Sequence, residues 1–230
     1  MNPLDAIARV AEAMASLGRS DTVFVGGAVV GLLLTDPAAP RPRATDDVDV
    51  VIGETSRAGY HQFEARLRDA GYTQPMEGLI CRWRIAGVNV DVMPIEADVL
   101  GFTNRWYGAM MEHAVTVQLG DDRHARIVSA PYLIATKLEA FRQRGAGDFL
   151  FSRDLGDILA LVDGREELAD EVRSTEESAR GFISEAFRTL LDDTSFVEAV
   201  PGHLLPDATS QARMPLILER MRRIADTPTR

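Results

Sequence analysis

Apolar residues recur at helical spacing over residues 4–18, where Leu4, Ile7, Ala8, Ala11, Met14 and Leu17 form one stripe and Gly18 offers a C-cap. An apolar strand at 22–25 breaks at Gly26-Gly27, and residues 28–35 then read as a buried helix. Residues 36–45 (DPAAPRPRAT) are proline-rich and predict a loop. Residues 47–52 alternate and are rich in valine, which predicts a strand, and 56–70 form an amphipathic helix through Phe63, Leu67 and Ala70. Strands follow at 79–85 and 88–93, separated only by Ala86-Gly87, the length of a tight hairpin turn. Short strands at 114–119 and 125–129 complete this half. From Pro131 the periodicity becomes helical, over 131–144, 151–163, 166–190 and 211–225. The fold class expected is α+β: a small mixed sheet in a domain over residues 1–129, then a helical domain over 130–230.

Composition narrows the class. The 230 residues are 46% hydrophobic and 26% charged, enough apolar material for a core. The longest apolar run, residues 28–34, falls well short of the ~20 residues of a membrane span. The N-terminus lacks a basic segment followed by an apolar one, so no secretory signal is expected and the location expected is cytoplasmic. One cysteine, Cys81, excludes an intramolecular disulfide framework, and the four histidines show no HxxxH or HExxH spacing. With 25 basic against 35 acidic side chains the net charge is −10, which argues against a general nucleic-acid coat but leaves room for a local basic groove.

The acidic residues that carry chemistry lie on strands. Asp47 and Asp49 are two apart, so both project from one face while Val48 and Val50 enter the core. Two carboxylates at that spacing repel unless a cation sits between them. A lone DxD is commonly only a solvated strand face. Here a third carboxylate, Asp91, stands in the Val-rich segment Val88-Asn89-Val90-Asp91-Val92, where an ion is costly unless paired or bound to metal. Gly26-Gly27, between a strand and a helix, suits close approach of backbone N–H groups to phosphate, although such a pair also serves as a plain tight turn. Three carboxylates from two neighbouring strands suit a pair of Mg²⁺ ions in phosphoryl or nucleotidyl transfer.

Together these segments resemble a known family. Phe24-Val25-Gly26-Gly27, Thr45-Asp46-Asp47-Val48-Asp49-Val50 and Val90-Asp91-Val92 resemble the signature of the polymerase-β-type nucleotidyltransferases. Lys137-Leu138-Glu139-Ala140-Phe141-Arg142 and Arg153-Asp154-Leu155-Gly156-Asp157 follow in the order seen in the AbiEii/AbiGii (MenT-like) toxin branch. The resemblance spans about residues 20–165. It implies a nucleotidyltransferase domain followed by a helical domain that closes the nucleotide site. It also implies transfer of a nucleoside monophosphate from an NTP, with Mg²⁺ as cofactor (two ions, with Mn²⁺ as a substitute). By the same resemblance the favoured acceptor is the 3′ end of tRNA, and the protein is a toxin of either a toxin–antitoxin pair, with a cognate antitoxin as partner, or a phage-defence pair. Asp47, Asp49 and Asp91 would hold the metal, and Asp91 would also take the proton of the acceptor hydroxyl. Gly26, Gly27, Lys137 and Asp154 would bind nucleotide, with Asp157 a structural neighbour.

The residues leave alternatives open. Lys137 is the only lysine among 25 basic residues, yet a helix lysine is often merely solvated. Arg41 and Arg43 on the proline-rich loop suit either substrate phosphates or solvent. His113 and His203 have no partner by spacing. A small-molecule nucleotidyltransferase of the antibiotic-modifying type and a non-catalytic nucleotidyltransferase-like binding module are the rival functions. The hairpin adds an expectation from register alone: Ile85 pairs with Val88, Arg84 with Asn89, Trp83 with Val90 and Arg82 with Asp91. Arg82 and Arg84 would then share the face of Asp91 while Cys81, Trp83 and Ile85 enter the core. Arg82 is thereby expected to hold Asp91 ionised while no metal is bound and to swing towards the nucleotide substrate once metal arrives; the alternative is an ordinary surface ion pair.

Overall fold

The computed structural model describes residues 2–76, 79–120, 123–144 and 147–228. It is mixed α+β, 54% helical and 13% strand, with one six-stranded mixed sheet among the described residues. In chain order the first elements are α1 (Pro3–Ser16), β1 (Val23–Val25), α2 (Val30–Leu33), β2 (Asp47–Ile52) and α3 (Arg57–Asp69). Then come β3 (Arg82–Ile85), β4 (Val88–Pro94), α4 (Ala97–Leu100), α5 (Tyr107–Glu112), β5 (Val115–Gln118) and β6 (His124–Ile127). The helical region comprises α6 (Ala130–Arg144), α7 (Arg153–Gly164), α8 (Leu168–Ser174), α9 (Glu177–Asp192), α10 (Thr194–Ala199), α11 (Ala208–Gln211) and α12 (Met214–Ala225). No helix among the described residues is long and apolar enough to cross a membrane.

The chain divides into two compact units, Met1–Val29 with Ala44–Ser129, and Val30–Arg43 with Ala130–Arg230. The first unit holds the whole sheet, in the order β3-β4-β2-β1-β6-β5. β2 runs parallel to β4 and antiparallel to β1; β1 runs parallel to β6; β3 and β5 are antiparallel to their neighbours. The central strands bury valine and isoleucine on the core side, with Val48, Val50, Val90 and Val92 at 2% exposure or less. Local signals set the flanking helices. Asn2 caps α1 by accepting from the Leu4 N–H, and the helix ends with Arg19 N donating to the Met14 carbonyl and Gly18 N to that of Ala15. Ser56 caps α3, which lays Tyr60, Phe63 and Leu67 on the core.

The second unit is helical, and it draws in residues 30–43 from the sequence half that otherwise forms the sheet. The reason lies in specific bonds. Thr35 N and Asp36 N both donate to the Gly164 carbonyl, Arg165 donates to the Leu33 carbonyl, and Arg213 bridges Asp36 and Asp163 at 2.6 and 2.7 Å.

Several elements differ from the sequence pattern. The helix expected over 28–35 is a 3₁₀ turn at Gly27–Val29 followed by the four-residue α2. The strand expected to begin at residue 79 begins at Arg82, because the chain turns there: Arg82 N donates to the Leu79 carbonyl and Gln74 Nε2 to that of Ile80. Leu79 and Ile80 are exposed. The helix expected over 166–190 is two helices. Thr175 is extended between them, and Arg180 donates to the freed carbonyls of Arg173 and Thr175.

Candidate functional site

In the parallel pair β2–β4, Asp47 lies opposite Asn89 and Asp49 opposite Asp91. Opposed residues of neighbouring strands share a face, as do residues two apart along one strand, so Asp47, Asp49 and Asp91 lie on one side of the sheet. In the hairpin, Ile85 pairs with Val88, Arg84 with Asn89, Trp83 with Val90 and Arg82 with Asp91, the register that a two-residue turn dictates. Cys81, Trp83 and Ile85 are buried with the valines.

Arg82 is the organising side chain. Its Nε donates to Asp91 Oδ1 and its Nη2 to Asp91 Oδ2, each at 2.7 Å, a side-on bidentate pair. The same Nη2 donates to Asp47 Oδ2 at 2.7 Å, which bounds the separation of the Asp47 and Asp91 oxygens at twice that distance. Asp91 has a side chain only 6% exposed, so its charge needs this partner; Asp47 and Arg82 are 36% and 26% exposed. The bonds to Asp91, then the charges of Asp91 and Asp47, raise the guanidinium pKa further, so Arg82 stays charged. Arg84 Nη1 donates to Asn89 on the same hairpin. Burial, and then the Asp91 charge, push the neighbouring Cys81 thiol up to about 12.

Gly26 serves the third carboxylate. Its φ is +79°, a region side chains rarely adopt, and a Cβ built there would stand 1.9 Å from Asp49 Oδ2. The Asp49 carboxyl therefore occupies the space that the glycine leaves. Gly27 opens the 3₁₀ turn, and the helix expected after the glycine pair is reduced to four residues. Beside Asp47 the surface opens into a cleft of about 170 Å³ lined by Thr45, Asp46, Arg84 and Asn89.

The donor set fits a hard divalent cation. Carboxylate oxygens are the ligands Mg²⁺ selects, and Asp47 and Asp91 converge on one point, where a guanidinium nitrogen sits. Among the described residues, no group of three or more His, Cys, Asp or Glu side chains is spaced to hold a metal ion. Asp47 and Asp91 would hold such an ion, and Asp49 lies on the same face.

In the second unit, α7 presents Asp154 and Asp157 to Lys137 of α6. Lys137 Nζ lies 3.1 Å from Asp154 Oδ1 and 2.7 Å from Asp157 Oδ2. Arg43 pairs with Asp157 through Nε and Nη2, and Arg144 with Asp154 through Nε and Nη2. The chain of charges runs Arg43–Asp157–Lys137–Asp154–Arg144, with both aspartates buried. Lys137 is thus not a solvated helix lysine, and Asp154 and Asp157 act as its partners. A cavity of about 390 Å³ in this unit is lined by Arg41, Arg43, Arg153, Asp157 and His203 among others. His203 is bonded through Nε2 to the Phe149 carbonyl.

The partners of Arg43, Lys137 and Arg144, and the contact of Arg82 with Asp47, join segments distant in sequence and leave no local signal. Arg144 lies two turns along α6 from Lys137, and its partner Asp154 is on the next helix, which local spacing does not report. The reach of Arg82 to Asp47 crosses two ladders, while hairpin register reports only one. No protein-family model matches the chain, and no curated protein matches it.

Proposed function

We propose that the first unit is the catalytic domain of a divalent-metal-dependent nucleotidyltransferase. In this reading an acceptor hydroxyl attacks the α-phosphorus of an NTP, the bond to the bridging α–β oxygen breaks, and pyrophosphate leaves. The observation that carries the reading is the convergence of Asp47 and Asp91 on a single cation position, with Asp49 in register opposite Asp91. Metal bound there supplies neutralisation of the triphosphate and of the attacking and leaving oxygens. Asp91 accepts the proton of the attacking hydroxyl at a carboxylate oxygen. Gly26 leaves the room in which the Asp49 carboxylate stands. Most of the rate comes from orientation, because nucleotidyl transfer asks little covalent chemistry of the protein.

The acceptor class, the 3′ end of tRNA, and the role as a toxin countered by an antitoxin rest on the motif resemblance. So does the assignment of Lys137 and Asp154 to nucleotide. The test is incubation of the protein with each radiolabelled NTP, Mg²⁺ and total tRNA. Label should appear on RNA with wild type and not with Asp91→Asn, both proteins being folded by circular dichroism. Equal labelling by Asp91→Asn would remove the assignment. Label on a small molecule in place of RNA would change the acceptor and leave the chemistry.

A further inference from the structure

We infer that Arg82 is the resident counter-cation of the Asp47–Asp91 pair, and that a divalent ion enters this position only by displacing it. The inference deepens the metal-site reading above and rests on it. Arg82 engages both oxygens of Asp91 and one of Asp47 at 2.7 Å, all through Nε and Nη2. A Mg²⁺ ion needs carboxylate oxygens at 2.0–2.1 Å. Guanidinium and metal would then share the same oxygens at contact distance, where two cations repel strongly in a partly desolvated site. Occupancy is therefore exclusive.

The surroundings fit an exchange rather than a permanent bond. Asp91 is fixed on a central strand and almost fully covered, whereas Arg82 lies on the outermost strand, β3, and is 26% exposed. Its long side chain can turn to solvent while the carboxylates stay in place. Without a cation, Asp47 and Asp91 would repel across a short gap. Arg82 removes that repulsion in the metal-free protein and keeps the acidic pair assembled. The cost is a lower affinity for metal. Once released, the guanidinium is a planar five-donor fork beside the site, matched to a phosphate. Arg82 is a positioning residue for the metal-free state.

Two measurements on the 230-residue chain, without nucleotide, test this. The first is Mn²⁺ affinity, from titration calorimetry and from the free-Mn²⁺ EPR signal, for wild type, Arg82→Gln, Arg82→Lys and Asp91→Asn. Arg82→Gln should bind Mn²⁺ at least tenfold more tightly than wild type. Arg82→Lys should fall between, because one ammonium cannot grip both oxygens of Asp91 side-on. Asp91→Asn should bind more weakly. Wild type binding well and Arg82→Gln binding no better would overturn the exchange while leaving the metal site. No Mn²⁺ bound by any folded variant would overturn the metal-site reading itself, and the exchange with it. The second measurement is made on wild type, with the resonance assigned by its loss in a folded Arg82 variant. The Arg82 Nε–H proton resonance should move from its hydrogen-bonded position as Mg²⁺ saturates. Saturation with that resonance unmoved would sink the inference.

Discussion

Gly26 and Asp49 are fitted to each other across the β1–β2 ladder: a Cβ at position 26 would lie 1.9 Å from one carboxylate oxygen of Asp49 and 2.8 Å from its carboxyl carbon. The glycine also sits at φ +79°, so replacement strains the backbone and expels the carboxylate together. Gly26→Ala should cost about 2–4 kcal/mol, combining a strained φ with a steric clash at a buried strand end. Urea denaturation should show a lower midpoint at unchanged slope. Nucleotide transfer should fall even at temperatures where the variant is folded, because Asp49 can no longer stand where it does.

The β3–β4 turn carries an avoidable strain. Ala86 and Gly87 have φ values of +49° and +81°, the signs a type I′ turn requires, and alanine pays for the first of them. Asn tolerates this region several-fold better than other side chains. Ala86→Asn should raise stability by about 0.5–1 kcal/mol. Thermal unfolding would register this as a Tm higher by a few degrees. An unchanged Tm would show that the strain is relieved elsewhere in the hairpin.

Lys137 is held between two carboxylates whose side chains are 7% and 2% exposed. Removing it leaves Asp154 and Asp157 without their shared cation, each still paired with an arginine, Arg144 and Arg43 respectively. Lys137→Ala should therefore destabilise by about 3–5 kcal/mol, the cost of breaking a buried pair from one side. Chemical denaturation measures this. NTP affinity measured on the same protein, at a temperature where it is folded, separates a phosphate-binding role from a purely structural one.

The Cys81 thiol is pushed up from 9.0 to about 12, chiefly by burial and then by Asp91. The neutral thiol is the favoured folded form, so the unfolded chain loses this proton first as pH rises. Stability should then fall between pH 9 and 12 with a slope of up to ~1.4 kcal/mol per pH unit. Below pH 9 the thiol contributes no pH dependence. Cys81→Ala should flatten that part of the stability profile. At pH 8 the native protein should react with a thiol reagent only at the rate of opening.

Local pattern was enough to identify much of the candidate site. The alternation in residues 47–52 and 88–93 put three aspartates on strand faces opposite the valines, and a two-residue turn at Ala86-Gly87 left one register for Arg82 and Asp91. Both follow from a side-chain period of two and a short loop, which involve neighbours in sequence only. Residues 79–81 misled for the same reason. Three apolar side chains look like a strand, but the turn that excludes Leu79 and Ile80 from it is made by Gln74 and by the backbone.

Everything that joins distant segments was decided by packing. β2 and β4 become parallel neighbours across about forty residues because their valine faces are buried together, and only then does Asp49 meet Asp91. The match of Gly26 to Asp49, the second grip of Arg82 on Asp47, and the capture of residues 30–43 by the Gly164 carbonyl and Arg213 all depend on that assembly. The same holds for Lys137, whose helix position was plain while its two carboxylate partners were not. A residue's face follows from local backbone geometry. Its partner across the fold follows from which surfaces leave water together, and that free energy belongs to the whole chain.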